Sequence, residues 1–322
     1  MSKSHEYDWK LLLLLSADIV GSTEYKTIAD DWREIFKSFY DSFPAEIRRN
    51  YMTHSRVLKP DFNVWKYLGD EILLYQEIQG LKQVPAAVLA FHDALGNYTK
   101  ILQKKSAGTL SLKGTAWTAG FPVMNAMFFE GKERRGARDF IGPSIDLGFR
   151  LTKHCETDKL VISVDLAYLL LQARKELDIH SFPTFHCDGA FALKGVNCGI
   201  PYPIIWLNRG KTSQDRAIDE IRFRPCDDNV LCRICTDYYQ DTKDAIPPFI
   251  VASDGTVWGA VPEDYEDRRA HLMKTSAFQS ALYNSGGTEL EAAELDAASC
   301  GDDNAFPTAE EIAREISTKM KE

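Results

Sequence analysis

The chain has 322 residues, of which 44% are hydrophobic and 26% are charged, and its formal net charge is −9. This composition is typical of a soluble globular protein with one large or two ordinary domains. The negative charge argues against a nucleic-acid-binding scaffold, because duplex binding needs a basic face, but it does not exclude a small polyanionic ligand whose charge a bound metal neutralises.

The sequence also predicts a location for the protein. No apolar run approaches the roughly 18–20 residues that span a bilayer, and residues 1–5 lack the charged-then-apolar pattern of a signal peptide. The seven cysteines are odd in number and scattered, as expected of reduced thiols. We therefore expect a cytoplasmic protein with no membrane or nucleic-acid partner.

The first elements begin with residues 10–17, a short apolar run that predicts a buried central strand. Apolar side chains then recur at helical spacing from Trp32 to Phe43, which predicts a helix with Ser22 or Thr23 as its N-cap. Pro44 is the point at which this helix is expected to break or restart.

Strands and helices are mixed farther along the chain. Two β-prone runs, 62–67 and 72–75, flank Gly69 and Asp70 and predict a hairpin. The other predicted elements are helices over 82–103, from Pro143 onward and over 165–177, strands over 110–119, 160–164, 185–193 and 202–207, and a polar arginine-rich loop over 131–138. This mixture predicts an α+β sandwich rather than regular βαβ winding.

The composition changes after residue 208 and predicts further parts of the chain. We expect a main domain over 1–208, a linker over 209–215 and a smaller α+β module over 216–285 that is regulatory or sensor-like. The acidic, alanine-rich residues 286–322 predict a partly flexible tail.

The first candidate functional stretch is residues 16–23, in which Asp18 ends the predicted strand and a Gly-Ser-Thr turn follows. An isolated buried carboxylate is costly, so Asp18 should pair with a cation or bind a metal. Gly21, Ser22 and Thr23 open a helix, and the free N–H groups there can bind a phosphate. An ordinary N-cap beside a solvated aspartate is an equally good interpretation of this stretch alone.

Two further stretches carry charged residues at informative spacings. Asp70 lies in the hairpin turn, where an aspartate usually serves only the turn. If the hairpin packs beside the first strand, Asp18 and Asp70 converge and suit Mg²⁺ or Mn²⁺ bound with phosphates. Asp146 and Arg150 share a helix face, either as an exposed ion pair or with the arginine turned toward a phosphate site.

Taken in this order, the motifs resemble those of the class III nucleotide cyclases, the catalytic domains of adenylate and guanylate cyclases. Residues 18–23 are similar to the family's first metal-binding segment, and 66–70 to its base-contacting lysine followed by the second metal aspartate. Residues 193–195 are similar to the Leu-Lys-Gly that precedes the family's last strand. The resemblance covers about residues 10–208 and implies a ferredoxin-like α/β sandwich of the class III cyclase type.

The resemblance also implies roles for individual residues. Asp139, Asp146 and Arg150 hold the positions of a base-contacting aspartate, a transition-state asparagine and a transition-state arginine. Asp146 departs from the family pattern, which has asparagine at this position. Unlike the asparagine amide, a carboxylate donates no hydrogen bond unless it is protonated. The other implied roles are two Mn²⁺ or Mg²⁺ ions on Asp18, Ile19 (through its carbonyl) and Asp70, phosphate binding by Gly21, Ser22 and Thr23, and base recognition by Lys66 with Asp139.

By the same resemblance, the protein is expected to form a head-to-tail homodimer in which each of two sites takes its metal residues from one chain and its base residues and arginine from the other. The substrate would be a nucleoside triphosphate, closed to a 3′,5′-cyclic monophosphate with release of pyrophosphate. A nucleotide-binding protein without activity is an alternative.

The choice of base is open from the residues, because a lysine with an aspartate can contact adenine, uracil or cytosine. Residues 65–72 and 141–151 resemble the pyrimidine cyclases of bacterial Pycsar anti-phage systems, whose cyclic product acts on a separate effector protein. We therefore favour UTP, with CTP or a purine nucleotide as alternatives. Tyr51, Phe62, Trp65 and Tyr67 either fill the space that a purine would occupy or pack in the core.

Two weaker patterns remain. Cys232 and Cys235, with Cys226 nearby, are one cysteine pair without a second, so buried thiols are favoured over a zinc site. The arginines of the polar loop either clamp a triphosphate or lie on a solvated face; they are Arg134, Arg135 and Arg138.

Overall fold

The computed structural model describes residues 9–55, 61–129, 138–179, 182–209, 225–242, 245–272 and 274. The chain divides into two compact units, Met1–Leu272 and Met273–Glu322. Of the second unit only Lys274 is described. The predicted tail over 286–322 and most of the predicted linker over 209–215 therefore lie outside the described residues.

In the described part of the first unit, the strands belong to one large sheet and two small ones. The strands are β1 (Lys10–Val20), β2 (Asn63–Leu68), β3 (Glu71–Ile78), β4 (Ser111–Phe121), β5 (Ala126–Phe129), β6 (Arg138–Ile141), β7 (Lys159–Ile162), β8 (Phe185–Phe191), β9 (Tyr202–Asn208), β10 (Ile250–Val251) and β11 (Val257–Trp258). The helices are α1 (Ser22–Ile28), α2 (Trp32–Ser55), α3 (Gln83–Lys105), α4 (Pro143–Leu151), α5 (Val164–Leu177) and α6 (Asp228–Asp241).

The large sheet has seven strands in the order β2-β3-β1-β4-β7-β9-β8. Within the group β2-β3-β1-β4, each pair of neighbouring strands is antiparallel. Helices α1 and α2 follow β1, and α3 follows β3, so this half has the split βαβ order of a ferredoxin-like fold. The parallel pairing of β4 with β7 makes the whole sheet mixed. The predicted α+β class is confirmed.

Strand β1 is central because its apolar side chains are buried on both faces of the sheet. Leu11, Leu13 and Leu15 belong to the large cluster that contains the buried residues of α2 and α3. Leu12 and Leu14 belong to a second cluster with Trp117 and Phe140 on the opposite face. A strand buried on both faces is expected to be a continuous apolar run, as the five leucines are.

The predicted helix after the first strand differs from the observed structure in two ways. Two helices, α1 and α2, form in its place, and Pro44 lies inside α2 without interrupting it. Phe43 and Ile47, on either side of the proline, are both fully buried. Their burial against the sheet holds α2 continuous although Pro44 lacks the N–H that its turn would use.

The described residues of 225–272 pack on the sheet domain. Helix α6 buries Leu231 and Cys235, and the Trp9 indole stacks on Phe249 at a centroid distance of 4.1 Å. The Trp9 indole N–H also donates to the Phe249 carbonyl at 2.9 Å. The boundary of the module predicted over 216–285 stays a prediction. No helix in the described ranges is long and apolar enough to cross a membrane.

Candidate active site

The acidic end of β1 is held by the strands on both sides of it. Asp18 pairs in register with Glu71 of β3 and with Lys113 of β4. The strand continues to Val20, so the prediction that Asp18 ends it is wrong by two residues. Because pairing on both sides fixes the backbone, the Asp18 side chain stands on a rigid element.

Asp70 reaches the same place from the turn between β2 and β3. The Ile19 N–H donates to the Asp70 main-chain oxygen at 3.4 Å. The Ser22 hydroxyl donates to the Asp70 carboxylate, and the Lys26 ammonium lies 3.9 Å from that carboxylate. The structure thus joins Ile19, Ser22 and Asp70, which the family resemblance assigns to one site, and it places the hairpin beside β1, the condition on which Asp18 and Asp70 were expected to converge.

The electrostatics of this end are unfavourable for a bare carboxylate. Burial raises the pKa of Asp18; the Lys113 ammonium, 3.1 Å away, only partly offsets this, and the charge of Asp70 raises it further. Burial likewise raises the pKa of Glu71, which the Ser16 hydroxyl hydrogen-bonds. We call Asp18, Asp70 and Glu71 the acidic corner. Its partly desolvated carboxylates favour a bound cation.

Gly21 forms the turn between this strand and α1. Its φ is +83°, and a Cβ at this position would lie 2.7 Å from the Thr109 carbonyl oxygen, so both conformation and space demand glycine. The helix begins at Ser22 with no side-chain cap. The predicted capping by Ser22 or Thr23 is therefore wrong, because both lie inside α1 and the Ser22 hydroxyl is turned to Asp70.

Lys66 and Asp139 form a second charged group, the Lys66–Asp139 pair, with Nζ and Oδ1 2.8 Å apart. A bulge in β2 sets Val64 opposite Leu74 and Lys66 opposite Leu73, so Trp65 and Lys66 share the position opposite one residue. As a result Trp65 and Lys66 both reach Asp139, to which the Trp65 indole N–H donates at 3.0 Å. Strict alternation would have placed them on opposite faces.

Asp139 differs from Asp18 in its number of donors. Burial acts to raise its pKa, but the Lys66 ammonium, the Phe140 N–H at 2.9 Å and the Trp65 indole outweigh burial and lower it. The carboxylate is therefore held ionised and oriented. Of the four aromatic residues considered in the sequence, only Trp65 contacts Asp139; Tyr51 and Phe62 pack edge to face in the core, and Tyr67 packs on Tyr40.

Helix α4 carries Asp146 and Arg150. It packs closely on β4, where a Cβ at Gly148 would overlap the Trp117 ring. The Arg150 Nε donates to the Lys194 carbonyl at 3.0 Å. Asp146 is exposed, and its carboxylate forms no ion pair with Arg150 and no hydrogen bond with any residue the structure describes. The two residues are therefore not the i,i+4 pair that their spacing allowed.

The predicted site residues thus fall into separate groups. Among the described residues, no hydrogen bond or ion pair connects the acidic corner with the Lys66–Asp139 pair, or either of them with Arg150. The Trp65 and Phe149 rings, 6.1 Å apart, link the pair with α4 through apolar contact.

The remaining predictions have mixed outcomes. Arg134 and Arg135 lie outside the described residues, and Arg138 donates to the Tyr75 hydroxyl at 3.4 Å. Cys235 is buried, and Cys226 and Cys232 pack partly buried against the core. Within the described ranges, no group of three or more His, Cys, Asp and Glu side chains is arranged to hold a metal, so Glu71 is not placed as a third ligand beside Asp18 and Asp70.

Sequence reasoning missed Lys113, Ser16 and Glu71. The ammonium and hydroxyl groups of the first two contact carboxylates of the acidic corner. Ser16 is two residues before Asp18 on β1, so the alternation of a strand already places it on the same face. For Glu71 and Lys113, only the register of β1 with β3 and β4 shows that they lie beside Asp18.

No protein-family model matches this chain, and no curated protein sequence is similar to it. Among solved structures, the chain is similar to the adenylyl cyclase CyaB from P. aeruginosa, with 19% identity, a TM-score of 0.48 and coverage of 62% of this chain and 94% of that one. It is also similar to the guanylyl cyclase Cya2, with 17% identity, a TM-score of 0.42 and coverage of 62% and 92%.

A third similar structure is the guanylate cyclase domain of RhGC from Catenaria anguillulae in complex with GTP, with 11% identity, a TM-score of 0.47 and coverage of 62% and 96%.

Proposed function

We propose that this chain is a class III nucleotide cyclase, which joins the ribose 3′-oxygen of a nucleoside triphosphate to its α-phosphorus and releases pyrophosphate. The observation that carries the proposal is the convergence of Asp18 and Asp70, distant in sequence, at a glycine turn whose next residue, Ser22, hydrogen-bonds Asp70. The sequence resemblance implies the same grouping of Asp18, Asp70 and Ser22.

The residues at the acidic corner fit divalent cations. Asp18 and Asp70 provide carboxylate oxygens and Ile19 a backbone carbonyl, the hard ligands that Mg²⁺ and Mn²⁺ prefer. The raised pKa of Asp18 shows that its charge is under-compensated. Two such ions would lower the pKa of the 3′-hydroxyl and neutralise the leaving pyrophosphate.

The turn at Gly21 is proposed to hold the terminal phosphates. The backbone N–H groups of Ser22 and Thr23 lie in the first turn of α1, where they have no helical acceptors. Gly21 lets the chain turn into α1, because it adopts a positive φ and has no Cβ to clash with the Thr109 carbonyl oxygen. Lys26, near the Asp70 carboxylate, adds positive charge on the same side.

The Lys66–Asp139 pair is proposed to recognise the base. Lys66 donates and Asp139 accepts, and Trp65 holds both through its ring face and its indole N–H. A preorganised donor and acceptor orient the base and with it the ribose, so that the 3′-oxygen lies in line with the α-phosphorus. Arg150 would stabilise the charge that develops at the α-phosphate.

We propose further that each site is shared between two copies of the chain. Polar contacts join the side chains within the acidic corner and within the Lys66–Asp139 pair, yet no polar contact joins the two groups within the described part of one chain. A head-to-tail homodimer would bring the corner of one protomer to the pair and Arg150 of the other, giving two equivalent sites.

The proposed substrate is UTP, with CTP as the nearest alternative and ATP or GTP retained. The preference follows from the sequence resemblance to the pyrimidine cyclases, and the Lys66–Asp139 pair is compatible with all of these bases. On the same basis, the cyclic product would act on a separate effector protein in anti-phage defence. The exposed Asp146 carboxylate favours one other function, nucleotide binding without turnover, because it replaces a hydrogen-bond donor.

The testing experiment measures pyrophosphate release from UTP, CTP, ATP and GTP, each with Mn²⁺, and identifies the product by mass. The wild-type chain and Asp70→Asn are compared, since the amide keeps the size of the side chain. A cyclic pyrimidine nucleotide from the wild-type chain alone supports the full proposal. A cyclic purine product supports the cyclase and overturns the pyrimidine assignment, and tight binding without product favours the binding protein.

A further inference from the structure

A cleft of about 290 Å³ lies between the sheet domain and five residues that we call the C-terminal segment, namely Tyr238, Thr242, Ala245, Ile246 and Pro248. Its walls are the starts of β1, α4 and α5, the end of β4, residues 195–197 and the C-terminal segment. Most of the wall is apolar, from Trp9, Leu11, Leu147, Val196, Ile246 and Pro248. None of the residues proposed to bind metal, to bind substrate or to act in catalysis lines this cleft.

One charged side chain, Asp165, lines the cleft among the described residues. Its Oδ1 accepts a hydrogen bond from the Tyr239 hydroxyl at 2.8 Å, and this is the only partner it has within the described ranges. Asp165 lies in the first turn of α5, where the helix dipole favours a negative charge. No lysine or arginine of the described chain lines the cleft to balance that charge.

A second polar group in the cleft lacks a partner. Thr118 of β4 is 2% exposed, lines the cleft, and its hydroxyl has no hydrogen-bond partner. A buried hydroxyl without a partner costs free energy, and a ligand atom at hydrogen-bond distance would recover it. Asp165 and Thr118 are thus two polar groups with unused bonding capacity in an otherwise apolar cleft.

These features define the chemistry of an occupant. The apolar walls favour a hydrocarbon or aromatic body, and the uncompensated carboxylate favours a cation over a neutral or anionic group. Burial raises the pKa of Asp165 to about 6, so the carboxylate is ionised under neutral conditions although it is poorly solvated. A protonated amine supplies the missing charge and also donates hydrogen bonds.

We propose that this cleft binds a small amphipathic molecule with a protonated amine, which pairs with Asp165, while its apolar body packs on Trp9 and Leu147 and a polar atom bonds the Thr118 hydroxyl. This site is independent of the proposed cyclase reaction. Its occupant would contact both α4 and the C-terminal segment, and so would tie the two together.

The test uses phenethylamine as the probe and 2-phenylethanol, which has the same shape without the charge, as the matched ligand. Binding to the full chain is measured by calorimetry and ligand-observed NMR at about pH 8, where Asp165 is ionised. A ligand of about nine non-hydrogen atoms should bind with a Kd near 1 mM. We expect 2-phenylethanol to bind at least about tenfold more weakly, since it lacks the charge pair.

Two variants and one control decide the outcome. Asp165→Asn should bind amine and alcohol equally, whereas Asp30→Asn, an exposed aspartate outside the cleft, should keep the preference for the amine. Ala245→Leu, which fills the cleft from its half-buried rim, should lose both ligands with Asp165 intact. The inference is overturned by no amine binding at about 10 mM, by a preference retained in Asp165→Asn, or by unchanged binding in Ala245→Leu.

Discussion

The acidic corner and the Lys66–Asp139 pair both contain aspartates with a lysine about 3 Å away, yet they differ in charge balance. Asp18 has a raised pKa because burial and Asp70 outweigh Lys113. Asp139 has a lowered pKa because three donors outweigh burial. The Asp18 carboxylate is therefore short of positive charge and suited to bind a cation. The Asp139 carboxylate already has enough donors and serves as a fixed hydrogen-bond acceptor.

The largest expected effect is on turnover, when a carboxylate of the acidic corner is removed. If Asp70 is the metal ligand that we propose, Asp70→Asn should lower turnover by about 10³-fold or more, because it removes a ligand charge from the proposed metal centre. The thermal unfolding midpoint should stay close to that of the wild type, since the main-chain bond from Ile19 to Asp70 remains.

Pyrophosphate release and a thermal melt measure the two quantities. Asp30→Asn is the control, as an exposed aspartate near α1. Activity within about twofold of the wild type in Asp70→Asn would remove the proposed role of the corner.

The second prediction tests whether the two regions act across a dimer. Asp18→Ala and Arg150→Ala chains should each be inactive, but an equal mixture should recover about a quarter of wild-type activity, since half of the dimers are mixed and each has one intact site. The measurement is pyrophosphate release from mixed chains whose subunit exchange is checked by mass. Mixed dimers without activity would contradict the shared site.

The third prediction concerns the cation affinity of the acidic corner when the lysine beside Asp18 is removed. Lys113→Met should strengthen Mn²⁺ binding by about tenfold without nucleotide, because the ammonium occupies the Asp18 carboxylate that the ion would use. Isothermal titration measures the affinity. Lys10→Met removes an ion pair elsewhere on β1, with Glu77, and should leave it unchanged. Weaker binding in Lys113→Met would mean that Lys113 supports the cation rather than competing with it.

The smallest effects concern stability, and their signs should be opposite. The folded pKa of Asp18 is raised, so its ionisation destabilises the fold above the ordinary value of 3.8, and stability is recovered as pH falls through the raised pKa. The folded pKa of Asp139 is lowered, so its contribution is present above 3.8 and is lost as pH falls through the lowered pKa.

At neutral pH, Asp18→Asn should therefore raise the free energy of unfolding and Asp139→Asn should lower it. Both changes should stay below about 1 kcal/mol, the second because the Asp139 side chain is 57% exposed and solvent screens its pair. Urea unfolding at neutral pH and near pH 4 measures them. Equal signs for the two variants would contradict the difference in charge balance.

The sequence by itself determined most of the fold and predicted part of the candidate site, but it did not predict Lys113 or Glu71 there. The run of leucines predicted the central strand, the spacing around Gly69 predicted the hairpin, and the helix over 82–103 lies within two residues of the observed α3. These features depend on local periodicity and turn chemistry, which neighbouring residues carry. The convergence of Asp18 and Asp70 was predicted only on condition that the hairpin lay beside β1.

Only the tertiary structure decided how the site residues are arranged. Lys113 faces Asp18 because β4 pairs with β1 in one register, and a shift of one residue would turn it to the opposite face. Lys66 and Trp65 reach Asp139 together because a bulge in β2 breaks the alternation. Strand pairing and burial act between residues that are distant in the chain, and they determine which charges are compensated. The local sequence around each residue does not specify which distant residues will be its neighbours.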